Sequence, residues 1–335
     1  MMVQVMKWNN FFSIFWIFAI AFWSCKEKPK SQDNIENTKN AESEKPVISG
    51  ISFNQENAFE YIVKQVNFGP RIPGSAAHRK CADFLHNELA KYAHEMHTQE
   101  TTVHNKAVGM MPCYNIIGSF NPEAEARFLL CAHWDTRPFA DEDGSFQPFD
   151  GADDGASGVA VLLEIARLID SLSLPYGVDI IFFDVEDAGS HSGDASNSWC
   201  LGSQYWSKNP HKKNYIARKA ILLDMVGSKN ALFAFEGNSA SYASDLLIDV
   251  WRMGQHLGYG NYFINLRSNP VTDDHVYVFN ERGIPIIDII NYNPTTKQGF
   301  GAHWHTQNDN INIIDKKTLK AVGETVWQYL WKQRF

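Results

Sequence analysis

Histidines and acidic residues in this sequence stand just after short apolar runs, at positions where their side chains could do chemistry. The set consists of His133 and Asp135, Glu186 and Asp187, Asp224, the segment His303-Trp304-His305, and Asp154 in the Gly-rich turn GADDGASG. Each of these residues alone could be a solvated loop acid or a satisfied structural histidine. Together, histidine nitrogens and carboxylate oxygens without cysteine are typical of a Zn²⁺ site with an open position for substrate.

The adjacent acids Glu186 and Asp187 can divide two roles between them. Successive residues that leave a strand point in opposite directions, so one carboxylate can bind metal while the other faces the substrate. A carboxylate beside the metal but not on it is what a general base requires. We therefore expect one member of the pair to be a ligand and the other to be a base.

Motifs of other enzyme classes are weak or absent. The sequence contains no P-loop, no GxGxxG, no GxSxG nucleophile elbow and no HExxH. His94 and His97 are spaced i, i+3 near the end of a predicted amphipathic helix, so we do not expect them to bind metal. The five cysteines include no CxxC pair, which excludes a thiolate zinc site. Cys131 is expected to be a small buried hydrophobe in a strand rather than a nucleophile.

The chain from residue 51 alternates predicted strands and helices. Short apolar runs predict buried strands over residues 128–132, 178–183, 220–223 and 284–290. Helical periodicity predicts a helix that begins at Ser75, a final helix capped by Asp315, and helices over 157–172, 239–256 and 274–281. This order predicts a three-layer α/β/α sandwich with a central mixed, mostly parallel sheet. In such a sheet, ligands bind beyond the carboxyl ends of the strands, where the acids and histidines described above lie.

Six segments between residues 131 and 310 together resemble a known family. They read, in order, AHWDT, GADDGASG, FFDVEDAG, LLDMVG, TDDHVYVFNERGIP and HWHTQNDN. The set is similar to the zinc aminopeptidase-type fold. Within it, the chain most resembles the glutaminyl-peptide cyclotransferases, or glutaminyl cyclases, of bacterial type. The resemblance covers most of residues 51–335 and implies one zinc ion per chain.

The resemblance also implies a role for each matched residue. The family's zinc ligands fall on Asp154, Asp187 and His305, and its general base falls on Glu186. Asp187 stands where animal cyclases carry Glu, which shortens the ligand arm but keeps an oxygen donor. The other implied site residues are hydrogen-bonding acids and tryptophan walls of the pocket, namely Asp224, Asp273 with Asp274 as its alternative, Trp304 and Trp199.

The implied reaction is the cyclisation of N-terminal glutamine to pyroglutamate with release of ammonia. No protein nucleophile is needed, because the α-amine of the glutamine attacks its own side-chain carboxamide. The main alternative is a two-zinc aminopeptidase of the same fold, in which His133, Asp154 and Asp224 would suit a second metal. Asp135 and Asp274 are further candidates for that metal or for support of its ligands. A third interpretation, a lipid-anchored binding ectodomain without catalysis, is disfavoured by the intact ligand set.

The amino-terminal segment predicts export and anchoring. An apolar run over residues 11–23 is short for a bilayer span of about 20 residues and is typical of a signal peptide. Cys25 follows as in bacterial lipoproteins, so residues 1–25 are interpreted as a lipoprotein-type signal segment with Cys25 lipidated. Residues 26–50 are polar and charged, which predicts a disordered tether. Residues 51–335 are expected to form a single zinc-dependent catalytic domain.

Composition and charge restrict the partners and the location. The chain has 30 Lys and Arg against 38 Asp and Glu, a formal charge of −8, which argues against nucleic acid as a partner. The expected partners are peptides and proteins with N-terminal glutamine, together with a membrane of the bacterial cell envelope, held through Cys25 on its periplasmic or surface side. Phe22 and Trp23 depart from the usual lipobox, so simple secretion stays open. The oligomeric state is also open, with a monomer favoured.

Overall fold

The described part of the molecule, residues 50–106, 108–190 and 198–335 of a computed structural model, is built around two sheets. The strands are β1 (Glu95–Asn105), β2 (Gly109–Phe120), β3 (Arg127–His133), β4 (Gly177–Phe183), β5 (Lys219–Asp224), β6 (Phe233–Phe235), β7 (Phe263–Arg267) and β8 (Ile286–Ile290). The main sheet has the strand order β1-β2-β4-β3-β5-β8, and β6 pairs with β7 in a small second sheet.

Helices cover both faces of the main sheet. They are α1 (Gln55–Val66), α2 (Ala76–Leu89), α3 (Ala156–Ser171), α4 (Leu201–Lys208), α5 (Gly237–Tyr242), α6 (Ser244–His256), α7 (Asp274–Arg282) and α8 (Lys316–Lys332). Helices α1, α3 and α8 pack together on one face, and α4 and α7 pack together on the other. The predicted three-layer sandwich is therefore confirmed. Among the helices of these described ranges, none has the length and apolar character needed to cross a membrane.

Four neighbouring strands, β4, β3, β5 and β8, run parallel to one another, while β2 and β1 add antiparallel pairs at one side. The predicted mixed, mostly parallel sheet is therefore also confirmed. Parallel strands end at the same edge of a sheet, so the four carboxyl ends lie side by side. These ends are His133, Phe183, Asp224 and Ile290; two of them are candidate site residues, and Glu186 and Asp187 follow a third closely.

Apolar side chains of the central strands alternate between two cores. In β3, Phe128, Leu130 and Ala132 face the core shared with α1, α3 and α8. Leu129 and Cys131 face the core shared with α4 and α7. Burial on both faces explains why these strands are mostly apolar in the sequence, with buried exceptions such as Asp179. Cys131 is the buried strand residue that its position predicted.

Two helix caps are as predicted, and one helix prediction needs a correction. Ser75 and Asp315 cap α2 and α8, and their side chains accept hydrogen bonds from the backbone N–H groups of His78 and Lys317. The helix predicted over 239–256 is instead two helices, α5 and α6. They are separated because Ala243 leaves the helical region, with φ −154° and ψ 55°.

The hairpin formed by β1 and β2 is an element that periodicity did not predict. His94 and His97, expected near the end of a helix, lie just before and within β1, so that expectation is wrong. The sequence of β1, EMHTQETTVHN, is largely polar and exposed, because β1 is the edge strand of the sheet. It therefore lacks the alternation that marks a half-buried strand. Neither histidine joins a potential metal-binding group within the described residues.

The predicted amino-terminal segments fall almost entirely outside the described residues. These are the signal segment 1–25 with its lipidation site Cys25, and the tether 26–50 except its last residue. From residue 50 onward, the described chain belongs to one compact unit. The division into signal, tether and catalytic domain stays a prediction.

A buried ion pair ties three strands of the main sheet together. Nε and Nη2 of Arg127 in β3 lie 2.6 and 2.7 Å from the two carboxylate oxygens of Asp179 in β4. The hydroxyls of Ser119 in β2 and of Tyr215 donate to the same carboxylate, at 2.5 and 2.8 Å. Burial opposes the ionisation of Asp179, but hydrogen bonds from His211 and Arg127 outweigh burial and lower its pKa.

Replacing Asp179 by Asn is expected to destabilise the fold by about 3–5 kcal/mol at neutral pH, because Arg127 is then buried without its counter-charge. Urea unfolding followed by circular dichroism measures the loss. The lowered pKa means that the Asp179 contribution is complete above the ordinary carboxyl pKa and is lost as the pH falls below it. The gap between wild type and D179N should therefore narrow below about pH 4. The control D83N removes an exposed partner of Arg79 and should change little; equal losses would contradict the prediction.

Candidate active site and metal centre

A cavity of about 660 Å³ opens at the carboxyl edge of the parallel strands. The residues that line it include the predicted zinc ligands, the general base, the hydrogen-bonding acids and the pocket tryptophans, namely Asp154, Glu186, Asp187, Trp199, Asp224, Asp273, Trp304 and His305. Three further candidates are buried without lining this cavity, namely His133, Asp135 and Asp274. The structure therefore brings together segments that lie up to about half the chain apart in sequence.

The turn that carries Asp154 is held by a carboxylate from far along the chain. Asp309 accepts hydrogen bonds from the backbone N–H groups of Asp153 and Asp154, at 2.7 and 3.1 Å. The fully buried Arg71 donates to two backbone carbonyls at the start of the same turn. Because Asp309 follows His305 closely in sequence, its bonds to the turn also bring His305 towards Asp154.

The loop that carries Glu186 and Asp187 is held by a second buried carboxylate. Asp135 accepts hydrogen bonds from the backbone N–H groups of both residues, at 3.0 and 3.3 Å. Val185, just before them, has φ 53°, a left-handed conformation that is strained for a β-branched residue. The two acids thus leave β4 through a sharp turn, not as successive residues of an extended strand. Asp135 does not line the cavity itself, and it supports this loop through these two hydrogen bonds.

Asp154, Asp187 and His305, the zinc-ligating group, place one donor atom each within 4.8 Å of one another. Nε2 of His305 lies 3.1 Å from Oδ1 of Asp187 and 3.6 Å from Oδ2 of Asp154. Donors bound tetrahedrally to zinc are about 3.3 Å apart, so these separations suit the ion. Oδ2 of Asp187 is buried and has no hydrogen-bond partner among the described residues, as expected of an oxygen that a cation completes. The three residues therefore fit zinc. The Asp187 side chain, although shorter than that of Glu, is long enough to bring a carboxylate oxygen to the site.

The imidazole of His305 lies beside a carboxylate that the sequence did not reveal. Nδ1 of His305 lies 3.3 Å from Oδ1 of Asp141. The guanidinium of Arg137 donates to both oxygens of Asp141, at 2.9 and 2.5 Å, and to the backbone carbonyl of Asp187 at 3.2 Å. Partial burial opposes the ionisation of Asp141, but the interactions with His305 and Arg137 outweigh burial and lower its pKa. Asp141 thus stands beside Nδ1, while Nε2 of the same ring is the nitrogen that faces Asp154 and Asp187.

Two indole rings lie beside the same imidazole and line the cavity. The ring of Trp304 stacks on His305, with centroids 3.8 Å apart and planes at 23°. The ring of Trp199 is nearly parallel to His305, with centroids 6.3 Å apart and planes at 8°. The Arg137 guanidinium lies 4.9 Å from the centroid of the Trp199 ring, close enough for a cation–π interaction. Both tryptophans thus supply flat apolar walls next to the ligand histidine.

His133, Asp154 and Asp224, the His133 group, form a second set of close metal-binding donors. Nε2 of His133 lies 3.0 Å from Oδ1 of Asp154 and 3.2 Å from Oδ1 of Asp224. Burial opposes protonation of His133, but Asp135, Asp154 and Asp224 outweigh burial and raise its pKa well above the ordinary value. Burial is also the main cause that raises the pKa of Asp224 to about 8. This group is the structural basis of the two-zinc alternative.

Glu186 lines the cavity beside the zinc-ligating group without being a member of it. Burial, together with the charges of Asp187 and Asp273, raises the pKa of Glu186 well above the ordinary value. A carboxylate oxygen of Asp273 lies within 4.8 Å of a Glu186 oxygen. A carboxyl group with a raised pKa can accept and return a proton near neutral pH, which suits a base that later acts as an acid.

The structure separates the two acids of the DDH segment. Asp273 lines the cavity, and its side chain accepts a hydrogen bond from the backbone N–H of Asp274 at the start of α7. Asp274 is fully buried and does not line the cavity. Asp273 is thus the member of the doublet that is placed to meet a substrate.

Four charged residues that support the site escaped the sequence analysis. Arg71 and Asp309 hold the Asp154 turn, Arg137 holds the Asp187 loop, and Asp141 lies beside His305. All four stand in irregular segments without periodicity. The density of charged residues in RPFADEDG is the one sequence signal, and it marks Arg137 and Asp141.

Comparison with known proteins agrees with this geometry. Residues 115–330 match Peptidase family M28. The chain is 53% identical to Porphyromonas gingivalis glutaminyl cyclase, whose solved structure matches with a TM-score of 0.81 over 83% of this chain and 98% of that chain. It is 48% identical to a Zn-dependent exopeptidase from Parabacteroides distasonis, with a TM-score of 0.83 over 85% of this chain and 100% of that chain. A glutaminyl-peptide cyclotransferase of Bothrops jararaca is 30% identical over 285 residues, 76% of this chain and 74% of that protein.

Replacing Asp141 by Asn is expected to weaken zinc binding about 10- to 100-fold, because the charged carboxylate beside Nδ1 of His305 is lost. Competition with a chromogenic chelator measures the affinity. The control is E142Q, which removes a neighbouring exposed carboxylate but keeps the backbone N–H that Glu142 donates to the His305 carbonyl. Unchanged affinity in D141N, or the same loss in E142Q, would show that Asp141 does not orient the ligand.

Proposed function

The chain belongs to peptidase family M28, and from this premise we propose that it is a glutaminyl-peptide cyclotransferase, which converts N-terminal glutamine to pyroglutamate. The observation that carries the proposal is the position of Glu186. Glu186 lines the cavity next to the zinc-ligating group and the two indole walls, but it is not a member of that group. The similarity to glutaminyl cyclases over most of the chain supports the same activity.

The substrate of this reaction supplies both reacting groups. The α-amine nitrogen of the N-terminal glutamine bonds to its own side-chain carboxamide carbon, and the bond from that carbon to the amide nitrogen breaks. The proton that the attacking amine loses leaves on the amide nitrogen, as ammonia. The ordinary pKa of an α-ammonium is about 7.7–8.0, so a base is needed to free the amine near neutral pH. No protein nucleophile takes part.

Glu186 is the group that moves the proton in this proposal. It takes a proton from the α-amine and returns it to the leaving amide nitrogen, and its raised pKa suits both steps. General acid–base catalysis of this kind contributes roughly 10²–10⁴-fold in rate. Asp154, Asp187 and His305 would hold the zinc ion, which when bound supplies a Lewis acid that polarises the carboxamide.

The remaining cavity residues orient the substrate. Trp304 and Trp199 supply walls against which the glutamine side chain folds back towards its own amine, which brings the reacting atoms together. Asp273 lies next to Glu186, and Asp224 is held by His133. We assign to both acids hydrogen bonds that hold the substrate amine in place beside Glu186.

The second candidate function, a two-zinc aminopeptidase, is favoured by the His133 group and by the similarity to a Zn-dependent exopeptidase. Such an enzyme would use an activated water and release a free amino acid. We propose one zinc ion and the cyclase instead. The reason is the similarity to glutaminyl cyclases over most of the chain.

The partners and the location that we propose rest on the amino-terminal sequence. A lipid on Cys25 would anchor the enzyme to a membrane of the bacterial cell envelope, with the catalytic domain outside the cytoplasm. Its substrates would be exported peptides and proteins with N-terminal glutamine, whose products have an uncharged, blocked N-terminus. The acidic net charge of −8 argues against nucleic acid, and we propose a monomer.

The purified enzyme is expected to release ammonia from Gln-peptides and to release no free amino acid from Leu- or Ala-peptides. E186Q should lower kcat by at least about 100-fold, because the proton-transfer group is lost, while zinc content stays at one ion per chain. A coupled ammonia assay and elemental analysis give the two readouts. Free leucine without ammonia, or two zinc ions per chain, would favour the aminopeptidase. Unchanged turnover in E186Q would remove Glu186 from the mechanism.

The full-length chain, produced in a bacterium, is expected to enter the detergent-rich phase when a membrane extract is phase-separated. C25S should move to the aqueous phase with its Gln-peptide activity intact, because the acceptor thiol for the lipid is lost while the catalytic domain is unchanged. Mass spectrometry of the mature N-terminus identifies any attached lipid. A wild-type protein that is aqueous and cleaved at another residue would establish simple secretion.

A further inference from the structure

Cys200 has a backbone conformation that disfavours its residue type. It directly precedes α4 and has φ 56° and ψ 35°, in the left-handed region. Glycine adopts this region freely, whereas a residue with a Cβ atom is strained there. The Cys200 side chain is also fully buried, so this conformation does not belong to an exposed, flexible turn. A cysteine at such a position points to a role for its thiol.

The thiol of Cys200 contacts the proposed general base. Sγ of Cys200 lies 3.1 Å from Oε1 of Glu186, and the backbone N–H of Cys200 donates to the Glu186 carbonyl at 2.9 Å. The next residue repeats the pattern, because the N–H of Leu201 donates to the Val185 carbonyl at 2.9 Å. These backbone bonds fasten the start of α4 to the loop that carries Glu186. The thiol and the carboxylate are therefore held together by more than their own contact.

The chemistry of the contact makes Cys200 a donor and not a nucleophile. Burial, reinforced by the charges of Glu186 and Asp274, raises the pKa of Cys200 well above the ordinary thiol value. A thiol in this environment keeps its proton and donates it to an acceptor such as a carboxylate. Among the side chains of the described ranges, Cys200 is the one that donates a hydrogen bond to the Glu186 carboxylate.

We propose that Cys200 is a positioning residue, whose S–H bond to Oε1 fixes the rotation of the Glu186 carboxylate and leaves Oε2 to exchange the proton with the substrate. The inference rests on the proposed function, because it takes Glu186 as the base. Cys200 does not line the cavity and so does not contact the substrate. Its loss should therefore slow turnover without weakening substrate binding.

Three substitutions at this position separate the hydrogen bond from the strain. C200A removes the thiol but keeps a strained Cβ, C200G removes the thiol and relieves the strain, and C200S keeps a hydrogen-bond donor. The matched control is C81A, which removes another fully buried thiol, in α2. For each variant, kcat and KM for a Gln-peptide are measured beside the urea-unfolding midpoint.

C200A and C200G are both expected to lose about 10- to 100-fold in kcat, the size expected for one hydrogen bond to a charged group, with KM within about twofold of wild type. C200S should recover kcat to within about threefold of wild type, because its hydroxyl also donates. C200G should be at least as stable as C200A, since glycine fits the left-handed conformation. C81A should keep its kcat whatever its stability.

A purely structural role for Cys200 predicts a different pattern, in which kcat follows stability across the variants. Activity that returns in C200G, a C200S variant as slow as C200A, or a comparable kcat loss in C81A would each overturn the proposal. An active wild type together with a fully active C200A would refute this inference alone. A wild type that releases no ammonia from Gln-peptides would refute the proposed function, and the inference with it.

Discussion

Buried negative charge at one edge of the sheet is the constraint on which the rest of this structure depends. The acids involved are buried residues of the cavity wall and its support, namely Asp135, Asp154, Glu186, Asp187, Asp224, Asp273, Asp274 and Asp309. A buried carboxylate must accept hydrogen bonds, hold a proton or meet a cation. All three solutions occur here. Asp135 and Asp309 accept backbone N–H groups, burial raises the proton affinity of Glu186, and the zinc-ligating group converges where a cation fits.

The geometry that meets this constraint uses strained backbone at the same edge. Val185, Cys200, Met225 and His305 all have φ between 48° and 56°. Each of them is a site residue or is adjacent to one in the sequence or in space. Such conformations persist in residues other than glycine only where the surroundings determine them. Here the hydrogen bonds that Asp135 accepts from the loop after β4 supply part of that determination.

The layered fold, and the acids that gather at one edge of its sheet, were predictable because both follow from burial along the central strands. The assignment of the zinc ligands came from the resemblance to the cyclases and stays a prediction. Residues 128–132 and 178–183 are covered on both faces, so they are apolar except for the buried Asp179, and the acids after such runs stand out. Strand β1 was not predictable, because its backbone pairing with β2 leaves little trace in an exposed polar edge. Asp141 and Asp309 were missed for a related reason. Their partners are fixed by how distant loops meet, which local spacing does not encode.

The three zinc-ligating residues follow β3, β4 and β8, so they come from segments far apart along the chain. An unfolded or partly synthesised chain does not present them together, and the metal can be captured only after the sheet and its loops have formed. A site of nitrogen and oxygen donors binds several divalent ions, and their relative supply decides which one it takes up. The divalent ions available where the chain folds therefore determine which metal the protein contains.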